Sequence, residues 1–152
     1  MKAISLFSGM GGDSLAIKNT NFNLVGYSEI NKKFCEIHDL NFKNCKLISN
    51  GDITKTTDDE ILKFKKIDLV FAGFPCQGFS HAGKKLPDDP RNTLFREFLR
   101  VTKLLKPKYI IGENVKGLTT RKTSSGENYI DVIINEFNDL GYNIKYEVLK
   151  AH

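Results

Sequence analysis

The sequence predicts an α/β fold, a doubly wound and mostly parallel sheet with helices packed on it. Two observations carry this expectation. Short apolar runs closed by glycine or proline alternate with stretches whose apolar residues recur at helical spacing, the alternation that builds a parallel sheet. Chemistry-bearing residues also stand just after those runs, at the carboxyl ends of the expected strands, where open α/β sheets bind ligands. The clearest case is Phe71-Ala-Gly-Phe-Pro-Cys-Gln-Gly-Phe-Ser80, in which the apolar run 67–74 stops at a Gly and a Pro and delivers Cys76.

Taken in order, Lys2 to Phe7 reads as a strand, Ser8-Gly-Met-Gly-Gly-Asp-Ser14 as a glycine turn, and Leu15 onward as a helix start. Glycine suits such a turn because it accepts positive φ and lets backbone approach a ligand. The dinucleotide pattern G-x-G-x-x-G is not met, since Ser14 stands where its third glycine belongs. Leu24 to Ser28 is the second strand, with Glu29 at its end, a position from which an acid accepts hydrogen bonds from ribose hydroxyls. A helix over 32–40 is expected to turn Phe34, Ile37 and Leu40 to the core, with Cys35 and His38 as packing or surface residues.

Cys45 to Ser49 is a short third strand, and the turn Asn50-Gly-Asp52 leaves Asp52 at its end. Asp58 opens a short acidic-capped helix before the Cys76 strand. Residues 77–91, rich in Gly, Pro and charge, read as a long loop beside the site. Residues 92–106 form an amphipathic helix stopped by Pro107, and Tyr109 to Gly112 is a fifth strand that leads into Glu113-Asn-Val115. A polar loop over 119–126, a helix over 127–140 capped by Gly141, and a final strand from Tyr142 to Leu149 complete the pattern.

Composition limits the classes of function. With 152 residues, 40% hydrophobic and 27% charged, the chain matches one globular domain. No apolar run approaches the roughly 20 residues of a membrane span, and the glycine-rich N-terminus is unlike a signal peptide, so a cytoplasmic location is expected. Three cysteines without Cys-x-x-Cys spacing argue against a disulfide framework and against a metal site. A formal charge of +5 permits a polyanionic partner, and equally a lysine-rich solvated surface.

Together Phe7-Ser-Gly-Met-Gly-Gly12, Glu29, Gly51-Asp52, Pro75-Cys-Gln77 and Glu113-Asn-Val115, in this order and spacing, resemble the cytosine-C5 DNA methyltransferases, including those of restriction-modification systems. The resemblance runs the length of the chain and implies a Rossmann-like fold and S-adenosylmethionine as methyl donor. Phe7 would pack on the adenine, the backbone of Gly9, Gly11 and Gly12 would approach the methionine part, Glu29 would hold the ribose, and Asp52 the adenine amino group. Ile30, Ile53 and Pro75 would line the same pocket, although the family often carries a bulkier residue at Ile30 and an acid at Asn31.

The resemblance also implies the chemistry. Carbon 5 of cytosine is a poor nucleophile, so Cys76 would add covalently to carbon 6 while Glu113 contacts the ring at N3 and its amine. Double-stranded DNA would be the substrate, with the target base flipped out of the stack. Gln77, Ser80, Arg91, Asn114 and Val115 would contact base or backbone. A tRNA cytosine methyltransferase uses the same Cys and Glu pair and is the alternative within the resemblance.

Family members continue past Lys150-Ala-His152 into an arginine motif, a further strand, a target-recognition domain and closing donor motifs. Residues 1–152 are therefore expected to be the N-terminal part of the catalytic domain, with the sheet incomplete on its C-terminal side. The expectation includes either a second polypeptide carrying the missing motifs or a truncated form.

Overall fold

In the computed structural model the described residues are 1–75, 94–123 and 125–150. The chain divides into two compact units, Met1–Phe74 with Arg96–Glu113, and Pro75–Phe95 with Asn114–His152.

The first unit is built on five parallel strands: β1 (Lys2–Leu6), β2 (Asn23–Ser28), β3 (Lys46–Leu47), β4 (Leu69–Ala72) and β5 (Tyr109–Gly112). Their order is β3-β2-β1-β4-β5. The chain winds outward from β1 through β2 to β3, then returns to the other side of β1, which is the doubly wound arrangement expected. The order reverses between β1 and β4, so a crevice is expected beyond the carboxyl ends of these two neighbours. Ala3, Ile4, Leu6, Val70 and Ala72 are all fully or nearly fully buried, as central strands covered on both faces require.

Helices α1 (Gly12–Lys18), α2 (Lys32–Asn41), α3 (Asp58–Leu62) and α4 (Phe95–Leu105) connect the strands. Helix α3 begins with a capping box, Thr57 accepting the Glu60 N–H and Glu60 reaching back to the Thr57 N–H. Helix α4 buries Phe98, Val101 and Thr102. One guanidinium from this helix, Arg100, fastens the segment ahead of it: it donates to the carbonyls of Ile53 and Thr56 at 2.9 and 3.1 Å and pairs with Asp58 and Glu97.

Helix α2 departs from expectation. Phe34, Ile37 and Leu40 are 37%, 39% and 75% exposed, whereas His38 is wholly buried. The inward stripe lies one residue further round the helix, because His38 stacks on Tyr27 at 3.6 Å between ring centroids and shares a 2.8 Å hydrogen bond with Ser14. A polar residue with both an aromatic face and a partner outcompeted three apolar ones.

In the second unit a 3₁₀ turn (Lys116–Thr120) and a bridge from Lys122 to Asn128 give structure to the polar loop expected, and the expected helix forms as α5 (Tyr129–Asp139). Helix α5 buries Ile130, Ile133 and Phe137. It ends in a Schellman motif: Gly141, at φ 88°, donates to Asn138 O at 2.8 Å and Tyr142 donates to Phe137 O at 3.2 Å. The expected strand from Tyr142 to Leu149 does not form, and Tyr146, Val148 and Leu149 are exposed. Alternating character alone does not make a strand, since its N–H and C=O groups need a ladder partner, and among the described residues 143–150 join no strand ladder. No helix among the described residues is long and apolar enough to cross a membrane.

Candidate functional site

The turn after β1 is held open by hydrogen bonds from β2. Ser8 N–H donates to Ser28 O at 3.0 Å, Phe7 N–H to Ser28 Oγ at 3.2 Å, and Gly9 N–H to Glu29 Oε2 at 2.9 Å. Phe7 itself has φ 60°, left-handed backbone that a phenylalanine adopts only where its surroundings impose it. The three glycines do different work. Gly11, at φ 100°, precedes α1 so closely packed that a Cβ would lie 2.5 Å from the Phe42 ring. A Cβ on Gly9 or Gly12 would meet nothing within 4 Å, so these two present bare backbone to open space.

Glu29 ties this turn to α2. Its second oxygen, Oε1, accepts the Asn31 N–H at 2.7 Å, and Asn31 in turn caps α2 by accepting from Lys33 and Phe34. Each carboxylate oxygen keeps a lone pair for an incoming hydroxyl. Ile30 beside it is 71% exposed. The Glu29 carbonyl accepts the Cys35 thiol at 3.1 Å and approaches Gly51, where a Cβ would stand 2.1 Å from it.

Asp52 caps a short 3₁₀ turn (Ile53–Lys55): Oδ1 accepts Thr54 N–H at 3.1 Å and Thr54 Oγ1 at 2.6 Å, and Oδ2 pairs with Lys55 at 3.3 Å. The Thr54 hydrogen bond holds its carboxyl below the usual range, so it is an anion at neutral pH. Ile53 is 3% exposed, and its carbonyl accepts from Arg100 at 2.9 Å.

At the end of β5, Glu113 N–H donates to Ala72 O at 2.9 Å, extending the β4–β5 ladder by one bond. Its Oε2 lies 3.5 Å from where a Cβ on Gly73 would be, so the carboxylate lies against the glycine three positions before Cys76. Asn114 Oδ1 accepts the Val115 N–H at 2.8 Å, and Val115 is 49% exposed. Pro75 is half-buried, while Cys76, Gln77, Ser80 and Arg91 lie outside the described residues.

Sequence reasoning missed the support beneath the turn. Ser28 contributes both of its oxygens to it, and below lies a buried polar chain. Asp13 accepts from the Ser5 hydroxyl and the Ser14 N–H, Ser14 Oγ bonds His38 Nε2, and Tyr27 donates to Asp39 at 2.6 Å. Burial pushes Asp13 up and His38 down from their ordinary values, each toward its neutral form. Little in the spacing of these residues announces the chain, because apart from the Asp13–Ser14 link each one joins two different elements.

The family model for the C-5 cytosine-specific DNA methylase matches residues 1–152. The type II methyltransferase M1.HphI of Haemophilus parahaemolyticus is 42% identical over 154 residues, covering 97% of this chain and 40% of that protein. M.XorII of Xanthomonas oryzae pv. oryzae is 39% identical, covering 97% of this chain and 36% of its own. Among solved structures, a Spodoptera frugiperda DNMT2 mutant superposes with a TM-score of 0.68 at 29% identity, covering 91% of this chain and 40% of that one. The S. pombe Dnmt2 methyltransferase gives 0.68 at 25% identity, over 94% of this chain and 41% of that one. The chain thus spans about two fifths of the length of relatives such as M1.HphI.

Proposed function

Because the chain belongs to the C-5 cytosine-specific DNA methylase family, we propose that residues 1–152 form the donor-binding and nucleophile-bearing part of an enzyme that methylates carbon 5 of cytosine in duplex DNA. The observation that carries this reading is the Glu29 carboxylate. It is braced by the Gly9 and Asn31 N–H groups at 2.9 and 2.7 Å, and it stands beside glycines whose free side meets no atom. That is the equipment for a ligand with vicinal hydroxyls and no phosphate. Two acids, Glu29 and Asp52, suit a donor that carries positive charge.

S-adenosylmethionine supplies an electrophilic methyl group on a sulfonium. In this reading Glu29 would accept hydrogen bonds from the ribose, Asp52 from the adenine amine, and Phe7 and Ile30 would flank the adenine. The bare backbone of Gly9 and Gly12 approaches the methionine part. The Cys76 thiolate adds to carbon 6 of a flipped-out cytosine; the new C–S bond moves the ring's 5,6 electron pair toward carbon 5. Glu113, held by the Ala72 carbonyl at the end of β4, offers its proton at N3 and offsets the negative charge that develops there. Carbon 5 would take the methyl group as S-adenosylhomocysteine departs; a solvent base would then remove the C5 proton, the 5,6 double bond would re-form as the C–S electron pair returns to sulfur, and N3 would give its proton back to Glu113. The remaining length of the relatives, wherever it is encoded, supplies the arginine motif and the region that reads the DNA sequence, as a second polypeptide if it is not on this chain.

Trapping on duplex DNA containing 5-fluorocytosine tests the proposal, because fluorine at carbon 5 blocks the final elimination. The expected result is a denaturation-resistant adduct that requires the donor and disappears in Cys76→Ser. An adduct that survives Cys76→Ser, or preferential transfer to tRNA in a parallel assay, overturns it.

A further inference from the structure

The sheet's other edge, where the strands begin, carries a concentration of lysines that the transfer reaction does not use. Ala3, Leu69 and Tyr109 stand side by side in the ladders of β1, β4 and β5. The residues just ahead of them therefore share one edge: Lys2 on β1, Lys65 and Lys66 before β4, Lys106 and Lys108 before β5. All five are exposed. Adjacent strands are about 4.8 Å apart, so the backbones carrying these cations span only about 10 Å across the sheet. The acid among them is Asp68, which accepts the Lys2 N–H at 2.9 Å and pairs with Lys108 Nζ at 3.2 Å. Among the described residues these lysines make no other ion pair.

Two of the five occupy backbone that disfavours a side chain. Lys66 has φ 57° and Lys106 φ 46°, both left-handed. Lys106 directly follows α4, with its N–H on Thr102 O at 2.9 Å, in the position beyond a helix where glycine is the usual residue. Keeping lysine there sacrifices stability that glycine would restore, and strain of this kind is retained where a side chain is used. Complementing a helix dipole gives a reason for a cation at the end of α4 but none for Lys2 or Lys108. The opposite edge carries Glu29, Asp52 and Glu113, where Asp52 is paired with Lys55 at 3.3 Å, so acids and lysines stand together there, whereas lysines outnumber the one acid, Asp68, at the amino-terminal edge.

We propose that this amino-terminal edge of β1, β4 and β5 is a second nucleic-acid contact, where Lys2, Lys65, Lys66, Lys106 and Lys108 engage the backbone phosphates of duplex DNA without reading its sequence. Duplex DNA carries one charge per about 1.7 Å of its axis, a density that a knot of five ammonium groups matches better than a dispersed acidic protein surface does. Lysine is a compact point charge on a flexible stem, suited to phosphates and not to base edges. The segment held here is separate from the one carrying the target cytosine, because the two sites lie at opposite ends of the same strands. The inference stands on the lysine geometry and does not depend on methyl transfer.

The test is binding of a labelled duplex of adenine and thymine alone, which offers no target base, by fluorescence anisotropy from about 50 to about 200 mM salt. The chain is compared with Lys66→Gly/Lys106→Gly, in which glycine relieves both strained backbones, and with Lys2→Gln/Lys65→Gln at unstrained positions. The expected result is weaker binding in both variants, with the slope of log affinity against log salt reduced by about 2 in each and the melting temperature of the glycine variant unchanged or raised. Unchanged affinity and slope in both pairs overturns the proposal. So does failure of the parent chain to bind the duplex, or competition by polyglutamate as effective as that by unlabelled duplex.

Discussion

The room a Cβ would need at position 51 is already taken by Glu29, whose carbonyl oxygen would lie 2.1 Å from it. Gly51 also has φ 90°, so two separate constraints exclude a side chain there. Gly51→Ala is expected to destabilise the fold by roughly 2 kcal/mol or more, combining left-handed strain with overpacking against backbone that cannot swing aside. Because the displaced atom belongs to Glu29, donor affinity should fall further than the loss of folded protein explains. Thermal melting and isothermal titration with S-adenosylmethionine, run on the same sample, measure the two effects.

Gly12 and Gly11 are expected to respond in opposite ways. Gly11→Ala meets the Phe42 ring and should lower the melting temperature, whereas Gly12→Ala has free space and a helical position and should leave it level or slightly raised. If bare backbone at Gly12 serves the donor, the second variant still loses donor affinity, by about tenfold or more. A Gly12→Ala chain that binds the donor normally would show that the open space is not the pocket.

Glu113→Gln keeps the shape of the side chain and its backbone bond to Ala72 while removing the acid. Methyl transfer by the assembled enzyme is expected to fall by about 10² to 10⁴, the usual worth of a positioned acid. Under the proposed function donor affinity should not change, because the residues assigned to the donor stand at the ends of β1, β2 and β3. Single-turnover rates against donor titration separate the two.

His38 makes the turn into α1 sensitive to acid, through its bond to Ser14. Burial lowers its pKa from 6.5, with Asp39 opposing weakly from the same helix. A group depressed in the folded state contributes stability that is present above its unfolded value and is lost as the pH falls through the folded one. The melting temperature should therefore decline as pH drops below about 6.5. His38→Gln retains a partner for Ser14 and should flatten that decline. Asp13, raised by burial, acts in the opposite sense: its contribution is present below the ordinary carboxylate range and is lost as pH rises. Melting curves between about pH 5 and about pH 8 on both chains check the assignment.

The parallel sheet was legible because strands β1, β4 and β5 are written as apolar runs with a glycine or an acid at the end. The positions of Glu29, Asp52 and Glu113 at the carboxyl ends of their strands were legible for the same reason, since the ends of such runs are where side chains leave the core. What stayed hidden joins elements far apart in the chain. Ser28 under Phe7, His38 under Ser14 and Arg100 over Ile53 are each an ordinary polar residue until the fold brings its partner, and no periodicity marks them. The inward face of α2 was misread because apolar residues at 34, 37 and 40 outweighed a histidine whose partner lies on α1. The segment 142–150 was misread because alternation describes a strand's faces and says nothing about its neighbours.

Arg100 also sets a schedule. Its guanidinium bonds reach back 42 residues to Asp58 and 47 to Ile53, so the turn bearing Asp52 is unclasped until α4 has been made. A ribosome adding about 5–20 residues each second leaves that turn unfastened for about 2–9 seconds after it emerges. During synthesis, then, the turn braced by Glu29 can form well before the turn bearing Asp52 is fastened. The carboxyl end of the sheet takes shape in two instalments.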